Sequence, residues 1–431
     1  MTITIIVALW RHRLNLFGYR KPADVRIIAV GPISCLTDEQ CVDIFYQINC
    51  KNQTDHSYLS LAQKVHELAS NYGATTRYIC VFERDLQETI AKIRFSLDIE
   101  GTVPEHVELL LHSRDLKTIA KRNGLITARS CTISSQSIVE KWKEKLIWQI
   151  GTFPMFVKAI LNDDNRCTRL HYIANSFESL QEWVKAQSNC ITELHIEECL
   201  QNGNEFIAVC SKLGLIGTIV TTYSKRPVLY NVHKQIPYAL EYLPVDKTRD
   251  HYPGIESFVL QTTKSVFIKS SYSLLFIRGF YKGHSDIYFM GASLEPPSKT
   301  HASLIYLARN SRSWEVLLLE NLNFPQNHNG DICSNDSCTY YAVINFPTTE
   351  GVLLHQTSIP KHNSQQRVIW RASEGDVMYD ATHIDENVLQ ANIPMDRLCF
   401  IDRYHICPRH RQLNQRPYGS NSLVRSSTTT D

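Results

Sequence analysis

The stretches Phe153–Ile160 (FPMFVKAI) and Ile196–Phe206 (IEECLQNGNEF) decide the fold. The first has the pattern of a short apolar strand, and its only charge is Lys158. The second begins as an apolar strand, passes through two carboxylates and turns at Gly203 before a further acid, Glu205. A nucleotide held between two sheets needs an ammonium for phosphate, a strand-edge backbone for adenine and an acid for ribose hydroxyls. In this order, the two stretches indicate a nucleotide cleft.

This order of motifs resembles the ATP-grasp superfamily, the fold of biotin carboxylase and of many carboxylate–amine ligases. The resemblance implies that Lys158 contacts nucleotide phosphates and that Glu205 accepts hydrogen bonds from the ribose hydroxyls. It also implies that the backbone of Glu198, Cys199 and Leu200 pairs with the adenine edge. Taken alone, a lysine or a pair of acids at a strand end is more often a solvated surface charge.

The resemblance also implies a chemistry and a set of partners. Active relatives of this type form an acyl phosphate from a carboxylate and ATP-Mg and then transfer the acyl group to an amine. Amino-acid and dipeptide ligases such as carnosine synthase are the most similar in style. We therefore expect ATP as the cofactor, and a nucleotide together with a small carboxylate or amino acid as partners.

Composition and charge exclude several other classes. The chain has 431 residues, 43% of them hydrophobic and 20% charged, which is ordinary for a globular protein of two or three domains. Its net charge of +2 offers no electrostatic argument for nucleic-acid binding. No apolar run approaches the ~18 residues of a membrane span. The 13 cysteines are scattered, which favours free thiols and a cytoplasmic location.

The chain alternates strand and helix patterns near its start, which predicts an α/β fold with a parallel sheet. Apolar runs predict strands at 25–31 and 77–83 with a helix at 60–70 between them. For the first 23 residues, a plain extra strand and an atypical leader remain open. The expected division is an N-terminal extension (1–23), a pre-ATP-grasp α/β domain (24–110), a small ATP-grasp lobe (111–200), a large lobe (201–339), a small β-rich C-terminal region (340–400) and a disordered tail (401–431).

A helix motif before the first lobe matches the superfamily only in part. Arg114, Asp115 and Gly124 fit an Arg-Asp-Lys helix followed by a glycine turn. Leu116 stands where the superfamily has its lysine, and Lys117 comes one residue late.

A second departure concerns the loop that covers the phosphates in active relatives. No glycine occurs between Gly151 and Gly203, where those relatives have a flexible glycine-rich loop. The corresponding segment contains Asp163 and Asp164, whose charges would repel a phosphate tail.

A third departure concerns magnesium. The segment 286–297 resembles the strand that ends in Glu-x-Asn-x-Arg in active members; here Gly291 stands for the Glu, Ser293 for the Asn and Glu295 for the Arg. The preceding strand, around Arg278, brings no acid either. Magnesium requires hard oxygen ligands, so we expect no protein metal ligand here. Two functions remain open: a divergent ATP-dependent ligase, and an inactive member with a binding, scaffolding or regulatory role.

Overall fold

A computed structural model describes residues 2–36, 41–48, 55–134, 141–161, 169–186, 191–212, 214–267, 273–322, 341–352, 367–370, 373, 376–379, 381, 385 and 387–394. It confirms an α/β fold with parallel and mixed sheets. The predicted loop acids Asp163 and Asp164 and the tail 401–431 lie outside these ranges. None of the described helices is long and apolar enough to cross a membrane.

The described strands are β1 (Ile3–Ala8), β2 (Val25–Gly31), β3 (Ile44–Gln47), β4 (Thr76–Val81), β5 (Ile126–Thr127), β6 (Ser130–Ser134), β7 (Met155–Leu161), β8 (Arg169–Ala174), β9 (Ile191–Glu198), β10 (Asn204–Ser211), β11 (Gly214–Thr222), β12 (Tyr238–Pro244), β13 (Leu275–Gly283), β14 (Asp286–Ser293), β15 (Tyr341–Pro347), β16 (Gly351–Val352), β17 (Arg367–Trp370), β18 (Val377–Met378) and β19 (Asn387–Pro394).

The described helices are α1 (Asp55–Tyr72), α2 (Arg84–Ser96), α3 (Pro104–Leu111), α4 (Ser113–Arg122), α5 (Lys141–Gln149), α6 (Phe177–Ala186), α7 (Val228–His233), α8 (Val245–His251), α9 (Ile255–Val266), α10 (Lys299–Ala308) and α11 (Trp314–Glu320).

The N-terminal sheet is parallel, with the strand order β3-β2-β1-β4. Its strands are apolar on both faces because both faces are covered, as is usual for parallel sheets. One face packs on α1 and α2 through residues such as Val65 and Ile90, and the other joins a core shared with the large sheet. Ile3–Ala8 is an interior strand here, so residues before 24 contribute to the same sheet as those after it.

A four-stranded antiparallel sheet, β6-β9-β7-β8, forms a separate small layer. In β7, Met155, Val157 and Ala159 are buried in a core with residues of α5 and α6. Because successive side chains in a strand point to opposite faces, Phe156 and Lys158 lie on the other face. Lys158 is directly opposite His195 of β9.

The largest sheet has nine described strands, in the order β17-β19-β15-β12-β11-β10-β13-β14-β5. The C-terminal strands β15, β17 and β19 extend this sheet beyond β12, although the sequence division set residues 340–400 apart. Helix α4 and strand β5 also belong here, since Leu116 and Ala120 lie in the core of this layer and β5 pairs with β14. The sequence division placed both elements with the small lobe.

Phe206 offers the simplest test of this core. It is buried at 1% exposure and packs edge-on against Phe258, with ring centroids 5.8 Å apart. Truncation of a buried phenylalanine costs about 3–5 kcal/mol. Phe206→Ala should therefore lower the urea midpoint of unfolding strongly. Phe95→Ala, the same change at a side chain that is 68% exposed, should leave it nearly unchanged. Equal shifts would contradict this packing.

Candidate functional site

Three basic side chains contact one buried carboxylate, that of Glu197. Its Oε1 accepts from Lys117 Nζ at 2.6 Å and from His195 Nε2 at 2.7 Å, and lies 3.4 Å from Lys158 Nζ. Lys117 comes from helix α4 of the nine-stranded layer, whereas the other three residues belong to the four-stranded sheet. The cluster therefore joins the two layers, and the region around these four residues, where the two sheets meet, is called the cleft.

Strand alternation explains why Lys158 and Glu197 meet. Phe156 is opposite Glu197 and Lys158 is opposite His195 in the antiparallel pairing of β7 with β9. Directly opposed residues share a face, and residues two apart on a strand share it too. The four side chains therefore form one patch on the face that is not covered by α5 and α6. His195 Nδ1 also lies 3.2 Å from Thr132 Oγ1 of β6.

In helix α4 the residue that reaches Glu197 is Lys117, although the superfamily motif has its lysine at the position of Leu116. Leu116 is 1% exposed and belongs to the core with Ala120, so its position faces away from the cleft. Lys117 is one step further round the helix, where its ammonium reaches Glu197. The apolar i, i+4 spacing of Leu116 and Ala120 marks the buried side, and that signal in the sequence could have identified Lys117.

Burial and mutual charge shift the pKa values of these groups. Burial lowers the pKa of Lys158 to about 8; Glu197 opposes this effect, and the nearby cations Lys117 and Arg278 add to it. Burial alone would raise the pKa of Glu197, but Lys117, Lys158 and His195 hold it well below its usual value. Glu197 is thus ionised at neutral pH, and a sizeable fraction of Lys158 loses its proton in mildly alkaline solution.

The three residues predicted to pair with adenine, Glu198, Cys199 and Leu200, lie at the end of strand β9 and immediately after it. Strand β9 ends at Glu198, whose side chain pairs with Arg129 and whose N–H donates to the Arg129 carbonyl at 2.9 Å. Cys199 is half-buried, and burial raises its thiol pKa to about 11. Leu200 is buried with Ala128 and Phe280, against which Tyr288 and Met290 pack. This end of the cleft is apolar, unlike the end that contains the lysines.

Glu205 has a role that the sequence interpretation did not foresee. Its Oε1 accepts from Arg278 Nε at 2.7 Å, and its Oε2 accepts from the N–H of Val228 at 2.7 Å. Glu205 itself is only 3% exposed. Both carboxylate oxygens are thus engaged by protein donors, so accepting from ribose would require a further donor at an occupied oxygen.

Residues 286–297, the segment that resembles the metal-binding strand of active relatives, include strand β14, which pairs with the strand of Arg278. Arg278 of β13 is opposite Gly291 of β14, and Phe276 is opposite Ser293. The Ser293 hydroxyl donates to the carbonyl of Glu295 at 2.6 Å, so it is hydrogen-bonded to the backbone two residues further along the chain.

The charges that act on the Glu295 carboxyl belong to His12 and to residues 83–85, which adjoin the N-terminal sheet. Burial raises the pKa of this carboxyl to about 7, and the charge of Arg84 opposes this effect most strongly. Asp286 is at the far end of β14, opposite Gly283 in the hairpin.

The residues present do not fit a magnesium ion at the position that the resemblance implies. Arg278 supplies a positive charge and Gly291 supplies no side chain, whereas magnesium prefers carboxylate and other hard oxygen ligands. Within the described ranges, no group of three or more His, Cys, Asp or Glu side chains could hold a metal ion.

A cavity of about 450 Å³ lies on the opposite face of the nine-stranded sheet. Its lining includes Asn204, Glu241 and Tyr281. Because Asn204 and Glu205 are consecutive in β10, one faces this cavity and the other faces Arg278. The cavity is therefore separate from the lysine cleft.

Solved structures with the same overall architecture span nearly the whole chain. An L-amino acid ligase from Bacillus licheniformis matches with a TM-score of 0.60 at 11% identity, covering 94% of this chain and 96% of that one. A phosphoribosylglycinamide synthetase from Anaerococcus prevotii matches with a TM-score of 0.53 at 13% identity, covering 93% and 96%. The chain has the ATP-grasp fold. This confirms the fold predicted from the two opening motifs.

A third ATP-grasp neighbour was solved with nucleotide. The biotin carboxylase domain of the 2-oxoglutarate carboxylase from Hydrogenobacter thermophilus, in complex with MgADP, ADP and bicarbonate, matches with a TM-score of 0.53 at 15% identity. It covers 91% of this chain and 86% of that one. No protein-family model and no curated protein matches the chain. At these identities the likeness establishes the ATP-grasp fold, and function has to be argued from the site.

The Glu197 cluster should be far more sensitive to mutation than its neighbour in sequence. Removing one partner of a buried ion pair costs about 3–5 kcal/mol, whereas a pair with an exposed partner contributes about 0–1 kcal/mol. Glu197→Gln should therefore lower the free energy of unfolding strongly. Glu198→Gln, whose partner Arg129 is 63% exposed, should lower it little. Chemical denaturation of both variants measures the difference, and similar losses would refute the central place of Glu197.

Proposed function

We propose that the chain binds ATP in the cleft between the four-stranded and nine-stranded sheets, with the phosphates at Lys117 and Lys158. The observation that carries this proposal is the convergence of the two ammonium groups on one carboxylate oxygen from opposite sides of the cleft. Each ammonium has three donors, so a contact with Glu197 leaves donors for a polyanion. The apolar group around Leu200 and Phe280 provides a surface for the base.

Charge supports a polyanionic ligand. Lys117, Lys158 and Arg278 carry three positive charges, and Glu197 and Glu205 carry two negative ones. Buried charges are costly unless they are balanced, so an anion entering this cleft gains from the excess positive charge. The two lysines are also mostly buried, at 10% and 22% side-chain exposure, which strengthens their interaction with an anion.

We propose that nucleotide binding serves a binding or regulatory role and that the chain does not catalyse a ligase reaction. The positions that would hold magnesium for acyl-phosphate formation carry Arg278 and Gly291. Phosphoryl transfer relies on charge stabilisation at the transferred group, and metal carboxylate ligands are part of that arrangement. The residues of this cleft bind and orient phosphates, but they do not supply that ligand set.

The second candidate is an ATP-dependent carboxylate–amine ligase. Its support is the match to the L-amino acid ligase over 94% of this chain and 96% of that one. The two candidates differ in one measurement, the formation of ADP from ATP in the presence of a mixture of amino acids. ADP release that depends on an amino acid would favour the ligase, and nucleotide binding without turnover would favour the binding role.

Calorimetric titration of ATP into lysine variants tests the binding proposal. A hydrogen bond to a charged group contributes about 1.5–3 kcal/mol, so Lys117→Met and Lys158→Met should each weaken binding by roughly ten- to hundredfold. Lys121→Met is the matched control, because Lys121 is exposed on the same helix as Lys117. Binding that is unchanged in both cleft variants, or equally weak in the control, would overturn the proposal.

The pH dependence of binding should report Lys158. Its pKa of about 8 in the free protein means that the ammonium form, which binds the anion, declines as the pH rises through 8. ATP affinity should fall by about fivefold between pH 8 and pH 9, since the protonated fraction of an amine with this pKa falls by that factor, and it should approach a tenfold loss per pH unit above pH 9. Lys158→Arg, which stays charged, should flatten this slope. A slope that persists in the arginine variant would assign the titration to another group.

A further inference from the structure

Arg278 is the cation that the nine-stranded sheet contributes to this cleft, from strand β13. It is opposite Gly291 across β13 and β14, and a side chain built at Gly291 would meet nothing within 4 Å. Open space therefore adjoins the strand segment that presents the guanidinium. In the sequence register, Gly291 stands where relatives that bind magnesium carry a glutamate, and the strand of Arg278 is the one expected to bring a second acid.

Glu205 holds this guanidinium by one edge. Arg278 Nε donates to Glu205 Oε1 at 2.7 Å, and Glu205 Oε2 accepts a hydrogen bond from the N–H of Val228. A guanidinium has five N–H donors, so its two terminal nitrogens remain able to bind a second anion. The Arg278 side chain is 38% exposed, which leaves it open to the cleft while Glu205, at 4%, is buried beneath it.

The same guanidinium is close enough to act on the other groups of the cleft. Its charge contributes to the lowered pKa of Lys158. It also contributes, after burial, to the lowered pKa of His301, which is about 3, so His301 is neutral at physiological pH. The charges of Lys117 and Arg278 both act on Lys158, so three basic side chains lie in one region.

We propose that Arg278 takes the place of the divalent metal, binding the terminal phosphates of the nucleotide directly, so that this chain binds nucleoside polyphosphates in their metal-free form. This inference rests on the proposed function and names the form of the ligand at the same site. A guanidinium suits this task because its planar fork binds phosphate oxygens in pairs. Free ATP also carries more negative charge than its magnesium complex, and a cleft with three cations favours the more negative form.

Magnesium itself would be unfavourable here. A divalent cation beside Arg278 would be repelled by the guanidinium, and it would find a glycine at the position facing it. The carboxylate that is present, Glu205, is already bound to Arg278 and to the start of α7. Added magnesium should therefore compete with the protein for ATP and weaken binding.

Calorimetry of ATP with the full chain, in EDTA and in excess magnesium, tests this inference. We expect binding in EDTA and an affinity that is at least several-fold weaker in magnesium. Arg278→Gln should weaken binding in EDTA by roughly ten- to hundredfold, as expected for loss of a charge-assisted contact. Arg278→Glu should abolish binding in EDTA and make any remaining binding depend on magnesium. Arg249→Gln is the matched control, because Arg249 forms an exposed ion pair with Glu256 on α8 and α9.

The outcomes separate this inference from the function on which it rests. Absence of ATP binding by the wild-type chain in both solutions would overturn the proposed function itself. Binding that requires magnesium would leave ATP binding intact and overturn the role of Arg278. Unchanged affinity of a folded Arg278→Gln variant in EDTA would also overturn it. If that variant fails to fold, the wild-type comparison between EDTA and magnesium still decides.

Discussion

The arrangement of this cleft depends on one buried negative charge, the carboxylate of Glu197. It lets two lysines approach each other from different layers of the fold, since without it their charges would repel in a region of low dielectric. The same carboxylate explains why Lys158 keeps a proton near neutral pH despite its burial. An anion that enters the cleft therefore meets ammonium groups that are already positioned, and the cost of ordering them has been met during folding.

The fold supplies this geometry through simple local rules. Strand alternation places Lys158 and Glu197 on the exposed face of the four-stranded sheet, and the buried side of α4 directs Lys117 towards them. A similar rule places Arg278 and Glu205 on one face of the nine-stranded sheet. The cleft thus has two cation–carboxylate units, one from each sheet: Lys158 with Glu197 in the smaller sheet, and Arg278 with Glu205 in the larger one.

Much of the small-lobe half of the site could be predicted from the sequence, and little of the other half. Lys158 and the run to Leu200 follow from short strand patterns, because periodicity of two is local. Lys117 was noted only as coming one residue late in its motif, since the motif register was considered and the apolar spacing of the helix was not. The contact between Glu205 and Arg278 joins residues 73 positions apart, and only the pairing of β10 with β13 brings them together. The C-terminal strands joined the large sheet for the same non-local reason.

Crystals of the full chain grown with ATP and manganese would show whether Arg278 or a metal ion binds the phosphates, because anomalous scattering locates the metal independently of the nucleotide. We expect phosphate density in contact with Lys117, Lys158 and the terminal nitrogens of Arg278, and no anomalous peak beside Arg278 and Gly291. A manganese peak bridging the phosphates at that position, with Arg278 turned away, would contradict this expectation.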